Sequence, residues 1–127
     1  MFISISPKHP VPLYQQIVEQ VRSKILSGEL RAGDPLPSIR ELAKDLTISV
    51  ITTKRAYLEL EKEGLIITRP GLGTFVASID PQKLVRLKRA QVREQLKAAI
   101  RAAKQAGIKK EELREMMEAL LAEEHIT

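Results

Sequence analysis

Apolar positions recur at intervals of three and four early in the chain: Tyr14, Ile17, Val18, Val21 and Ile25. On a helix these share one stripe, so the pattern predicts a helix beginning near Leu13. Gly28 follows the last periodic positions and suits a left-handed helix end. Upstream, Phe2, Ile3 and Ile5 alternate with small residues and read as a short strand. Pro7, Pro10 and Pro12 then keep the chain extended. Downstream, Gly33, Asp34, Pro35 and Pro37 predict a stiff turn. Ser38 and Glu41 have the spacing of a capping box. The helix they open turns Ile39, Leu42, Ala43 and Leu46 to one side. Thr47 and Ile48 leave room only for a tight turn before Ser49, the next N-cap. A third helix reaching about Glu63 turns Thr53, Ala56, Tyr57 and Leu60 inward, and Gly64 ends it.

The period then changes. Ile66-Ile67-Thr68 and Thr74-Phe75-Val76 are strand-like runs separated by Pro70-Gly71-Leu72-Gly73, which predicts a hairpin. Asp80-Pro81 punctuates the end of this first unit. From about residue 82 the chain reads as helical again. Val92, Leu96, Ala99, Ile100 and Ala103 form a stripe that Gly107 stops. Ile108 can staple onto Leu113 at the start of a last helix, which also carries Met116, Met117, Leu120 and Leu121. The domains expected are residues 1–79 and a helical tail over 80–127. The fold class is mainly α with a small β wing.

Two helices joined by a tight turn are the helix-turn-helix signal, with the third predicted helix projecting as a probe. A major groove admits one α-helix, which is why this shape reads DNA. With Ala56 and Leu60 facing the core, Ile51 points almost directly away from it, at the helix's N-terminal end. There its branched carbons can pack on a thymine methyl. Thr52 and Lys54 offer polar and phosphate contacts, and Arg55 lies along the same outer side. Val50 and Ile51 can alternatively pack within the turn. The hairpin is the wing, where Gly71 and Gly73 remove side chains and let the backbone approach a sugar–phosphate edge. Both glycines also suit an ordinary hairpin.

Composition changes this picture little. There are 21 Lys and Arg against 16 Asp and Glu, a formal charge of +5 that is compatible with an anionic partner. Its distribution is more telling: residues 83–110 carry ten basic residues and one acid, and residues 111–127 six acids and one base. These blocks can pair between helices, form solvated faces, or touch DNA phosphates over residues 83–97. A helix pair too small for its own core buries its stripe most simply against a second copy. The seam would comprise Val92, Leu96, Ala99, Ile100 and Ala103, with Leu113, Met116, Met117 and Leu120. Cysteine is absent, which excludes disulfides and thiolate metal sites. No apolar run approaches a membrane span, and no leader pattern opens the chain, so the expected location is cytoplasmic. No metal site, cofactor or membrane partner is expected, and no nucleophile–base pair marks an enzyme. A winged helix that binds RNA or protein is the rival reading, since the fold alone does not fix the partner.

Residues 12–77 carry an ordered series of stretches: Leu13-Tyr14-Gln15-Gln16-Ile17, Gly33-Asp34-Pro35-Leu36-Pro37-Ser38 and Arg40-Glu41-Leu42-Ala43. Ala56-Tyr57-Leu58-Glu59-Leu60-Glu61, Glu63-Gly64-Leu65-Ile66 and Gly71-Leu72-Gly73-Thr74-Phe75-Val76 continue them. Together they resemble the DNA-binding domain of the GntR family of bacterial regulators. The short helical tail is similar to that of the YtrA subfamily, which lacks a large effector domain. The resemblance implies a homodimer that binds a double-stranded operator and usually represses. It implies DNA contacts by Ser38 and Arg40, beside the capping role of Ser38. It leaves the operator sequence, the regulated genes and any small-molecule effector open. The sequence departs from the family at two places. Val50 stands after Ser49 where the recognition helix commonly has a base-reading Arg. Leu72 occupies the wing tip, where a basic residue or Gly is common.

Overall fold

The computed structural model describes residues 1–125. Its elements run α1 (Leu13–Leu26), β1 (Pro35–Leu36), α2 (Ile39–Leu46), α3 (Val50–Lys62), β2 (Ile66–Arg69), β3 (Gly73–Val76), α4 (Pro81–Gln105) and α5 (Lys110–Glu123). They form two compact units, one over Met1–Leu84 and the other from Val85 on.

The first unit is a helical triad closed by a sheet. The stripe of α1 buries Ile17, Val18, Val21 and Ile25 against α3, whose inward side is Thr53, Ala56, Tyr57 and Leu60. Leu42 and Ala43 of α2 complete the contact, while Ile39 and Leu46 stay half-buried. Arg22 of α1 pairs with Glu63 at the end of α3. The capping box at Ser38 forms, with Ser38 Oγ accepting from the Glu41 amide at 3.1 Å and Glu41 reaching back. Thr47 adopts the left-handed conformation (φ 57°) that reverses the chain between α2 and α3.

Two expectations are corrected. The wing is a three-stranded antiparallel sheet in the order β1-β3-β2, not an isolated hairpin. Pro35 and Leu36, expected only as a turn, pair with Phe75 and Thr74 of β3. This buries Leu36 and ties the wing to the start of α2. Secondly, residues 1–6 form no strand. The side-chain amides of two α1 glutamines take over the bonds a neighbouring strand would make. Gln20 accepts from Ser4 N and donates to Ser4 O, and Gln16 does the same with Ser6 while also reaching Val11 O. Ile3 is thereby held buried.

The tail begins at Pro81, a favourable first helical position for a residue without an amide hydrogen. Its first turn belongs to the first unit, where Lys83 Nζ donates to the Glu63 carbonyl at 3.1 Å and covers the end of α3. Lys83 Nζ comes within 2.6 Å of where a Cβ on Gly64 would sit, and Gly64 has φ +78°. That left-handed backbone favours glycine, and a side chain there would displace the Lys83 ammonium from its place. In the second unit, α4 and α5 meet through a turn at Gly107, with Ile108 N bonded to Ala103 O. Ile108 and Leu113 stand at the two staple positions and both line the crevice between the helices. Among the described residues, Ala103 is the one buried residue of α4, and α5 has none.

Candidate nucleic-acid interface

The first turn of α3 is fixed from beneath and open above. Ser49 Oγ accepts from the Thr52 amide at 3.0 Å and lies 2.8 Å from Thr52 Oγ1. Thr53 is fully buried and donates its hydroxyl to Ser49 O. These bonds set the helix rotation. Ile51 is consequently 81% exposed and Val50 46% exposed. An isolated exposed apolar residue is ordinary. Two adjacent ones, on a rigid N-terminal turn whose polar neighbours are already engaged, form a small apolar cap at a helix tip. Lys54 is exposed one turn further on.

Arg55 is held differently from its expected outward reach. Its guanidinium lies over the Tyr14 ring, 3.8 Å from the centroid, so the cation bridges α3 to the start of α1. Contact with a phosphate would be made from that stacked position.

Ser38 and Arg40 open α2, Ser38 engaged as the cap and Arg40 exposed on the first turn. Tyr57 connects this corner to α3, its hydroxyl donating to the Pro37 carbonyl at 2.6 Å. Burial, with the Glu41 carboxylate nearby, pushes the Tyr57 hydroxyl well above its ordinary pKa, so it stays a proton donor. The two candidate DNA-contacting corners, Pro37–Arg40 and the α3 tip, are therefore registered by one buried side chain.

The wing turn is built by Arg69-Pro70-Gly71-Leu72. Leu72 N bonds to Arg69 O at 2.9 Å, and Gly71 takes φ +76°, as the third position of a type II turn requires. Gly73 (φ +128°) pairs with Arg69 across the ladder. Leu72 is 74% exposed at the tip. Sequence reasoning missed Arg69, an exposed cation at the base of the turn whose guanidinium lies 5.8 Å from the Phe75 ring centroid. Its place just before Pro-Gly was the available signal, since it supplies the charge that Leu72 lacks.

The expected tail residues fall into two groups. Leu96, Ala99, Ile100, Ala103, Leu113 and Met117 line the crevice between α4 and α5. Val92, Met116 and Leu120 are exposed outside it. No metal-binding cluster of His, Asp and Glu occurs among the described residues. No described helix is long and apolar enough to cross a membrane.

Comparison with known proteins places this geometry. Residues 13–76 match the family described as "Bacterial regulatory proteins, gntR family". The chain is 39% identical over 121 residues to the HTH-type transcriptional repressor YtrA of Bacillus subtilis, covering 95% of this chain and 93% of that protein. It is similar to the crystal structure of a GntR family transcriptional regulator from Listeria monocytogenes, with a TM-score of 0.73 and 30% identity over 91% of this chain and 98% of that one. The chain is also similar to the DNA-binding domain of AraR in complex with operator ORR3, with a TM-score of 0.51 and 28% identity over 61% of this chain and 93% of that one.

Proposed function

Because the chain belongs to the GntR family of bacterial transcriptional regulators, we propose that it represses transcription as a homodimer bound to a palindromic operator. Residues 1–79 read the DNA, and residues 80–127 hold the two copies together. The place of action is the cytoplasm. The α3 tip enters the major groove. Arg40, Lys54 and Arg69 neutralise phosphates or reach base edges, while Ser38, Ser49 and the wing backbone at Gly71 and Gly73 set the register.

The observation that carries this reading is the α3 tip. Val50 and Ile51 are apolar and exposed on a first turn that the bonds of Ser49, Thr52 and Thr53 hold in place. An apolar tip discriminates by contact with thymine methyls, a form of readout open to the major groove and closed to phosphate binding alone. The 39% identity to a repressor supports the direction of regulation. That Ala103 is the one buried residue among the described residues of α4 and α5 supports a second copy.

Selection of bound fragments from random duplex DNA, read by sequencing, tests the proposal. Enrichment of an inverted repeat with thymines at matching half-site positions is the expected result. Enrichment of single-stranded or structured RNA in a parallel pool, with no duplex consensus, would overturn it.

A further inference from the structure

Helix α3 ends in a Schellman motif: Leu65 N bonds to Leu60 O and Gly64 N to Glu61 O, both at 3.0 Å. These bonds leave the carbonyl of Glu63, the C-cap, without a partner in the helix. Lys83 Nζ, from the first turn of α4, takes it. The ammonium thus lies at the negative end of the α3 dipole, where a cation is favoured and its bond is charge-assisted. Gly64 leaves the room for it, with no side chain to crowd Nζ. The backbone of that first turn is fixed as well. The Lys83 amide meets Asp80 Oδ2 at 3.4 Å, and Leu84 N bonds to Asp80 O at 2.9 Å. The Glu63 carboxylate pairs with Arg22 of α1. Three helices therefore meet at Glu63, and α4 joins through one ammonium. Residues 77–80, which connect β3 to α4, belong to no helix or strand, so the sheet does not set the direction of α4. From Pro81 the helix runs unbroken to Gln105.

We infer that Lys83 is a positioning residue for operator recognition: by fixing the first turn of α4 to the carbonyl end of α3, it sets the register in which a dimer presents its two α3 tips. The inference rests on the homodimer proposed above and names the joint through which that dimer acts on DNA. Helix α4 starts on the helix assigned to DNA and carries, further along, apolar residues assigned to the pairing of copies. Two joined tips gain over one only where both engage at once. A stiff joint concentrates that gain on one half-site spacing, because each added base pair turns the second half-site by about 35° around the duplex. A loose joint spreads the gain over several spacings and lowers it at the best one, since the tips must then be ordered on binding.

The whole chain carrying Lys83→Met tests this, since methionine keeps a long unbranched side chain and removes the donor. Binding titrations use the selected operator, the same operator with one or two base pairs added between its halves, and a duplex with a single half-site. Wild type should bind the native spacing best and lose about tenfold for each added base pair. Lys83→Met should bind the native operator about tenfold more weakly and lose only about threefold per added base pair. Its half-site affinity, and its dimer dissociation constant from sedimentation equilibrium, should match wild type. Lys83→Glu sets a carboxylate against the carbonyl end of α3 and should flatten the spacing profile further. A wild-type spacing profile in both variants would overturn the inference. So would an equal fall on half-site and operator, which would mean that Lys83 only steadies the winged unit. A wild type that binds duplex DNA but is indifferent to spacing would overturn the dimeric grip itself, and the role of Lys83 with it.

Discussion

At the scale of single residues, Ile51 and Tyr57 carry opposite kinds of information. Ile51 is exposed and contributes little to the fold, and in the function proposed above its partner is a base of the operator. Ile51→Ala should reduce preference for one thymine-containing position by about 1 kcal/mol, with the salt slope nearly constant because an apolar contact releases no counterion. Replacing each operator thymine by uracil removes only the methyl, and binding titrations should show one position whose loss matters to wild type and not to the variant. Equal sensitivity in both proteins would place the readout elsewhere. Lys54→Ala is the contrast, weakening all duplexes alike and flattening the slope. Tyr57 works from within. Tyr57→Phe leaves the Pro37 carbonyl without its donor and should cost roughly 1 kcal/mol in denaturant unfolding at neutral pH. The folded state also holds the Tyr57 proton more tightly than the unfolded chain does. Wild-type stability should therefore fall as pH rises past the ordinary tyrosine value of about 10, and the variant should lose less over that window.

At the scale of elements, what the sequence revealed and what it hid divide by the range of the interactions. Helices α1, α2 and α3 and their caps depend on neighbours a few residues away, so period and capping chemistry were enough to locate them. The outward direction of Ile51 followed from the same period. β1 was illegible because two residues, one a proline, become a strand only when β3 arrives beside them. The alternation at Phe2, Ile3 and Ile5 misled because the partner turned out to be glutamine side chains on α1. The stack of Arg55 on Tyr14 joins distant segments and leaves no local trace. The tail helices were legible as helices, and the exposure of their apolar stripe is what supports the proposed dimer at this scale. Leu96→Lys with Ile100→Lys puts two charges into that seam. Sedimentation should show monomers, and operator binding should weaken with the winged unit still folded by circular dichroism. A double variant that remains dimeric would show that the seam lies on another surface.

At the scale of the whole molecule, the chain joins a unit with a dense core to one with almost none. Met1–Leu84 buries Ile17, Leu60, Leu65 and Ile66 completely or nearly so, and explains its own stability. From Val85 on, the apolar residues are arranged for contact and are mostly uncovered. Such a division suits a regulator in which specificity and affinity come from different places. One α3 tip reads too few base pairs to find an operator in a genome, and two tips held by the tails multiply their selectivity. The central claim is thus that two copies grip two half-sites in fixed register. It is tested most directly by titrating the protein against its selected operator and against the same duplex with about five base pairs, half a helical turn, inserted between the halves. The account predicts that the insertion swings one half-site to the opposite side of the DNA and weakens binding by about a hundredfold, toward the affinity of a single half-site. Equal affinity for the two duplexes would contradict it.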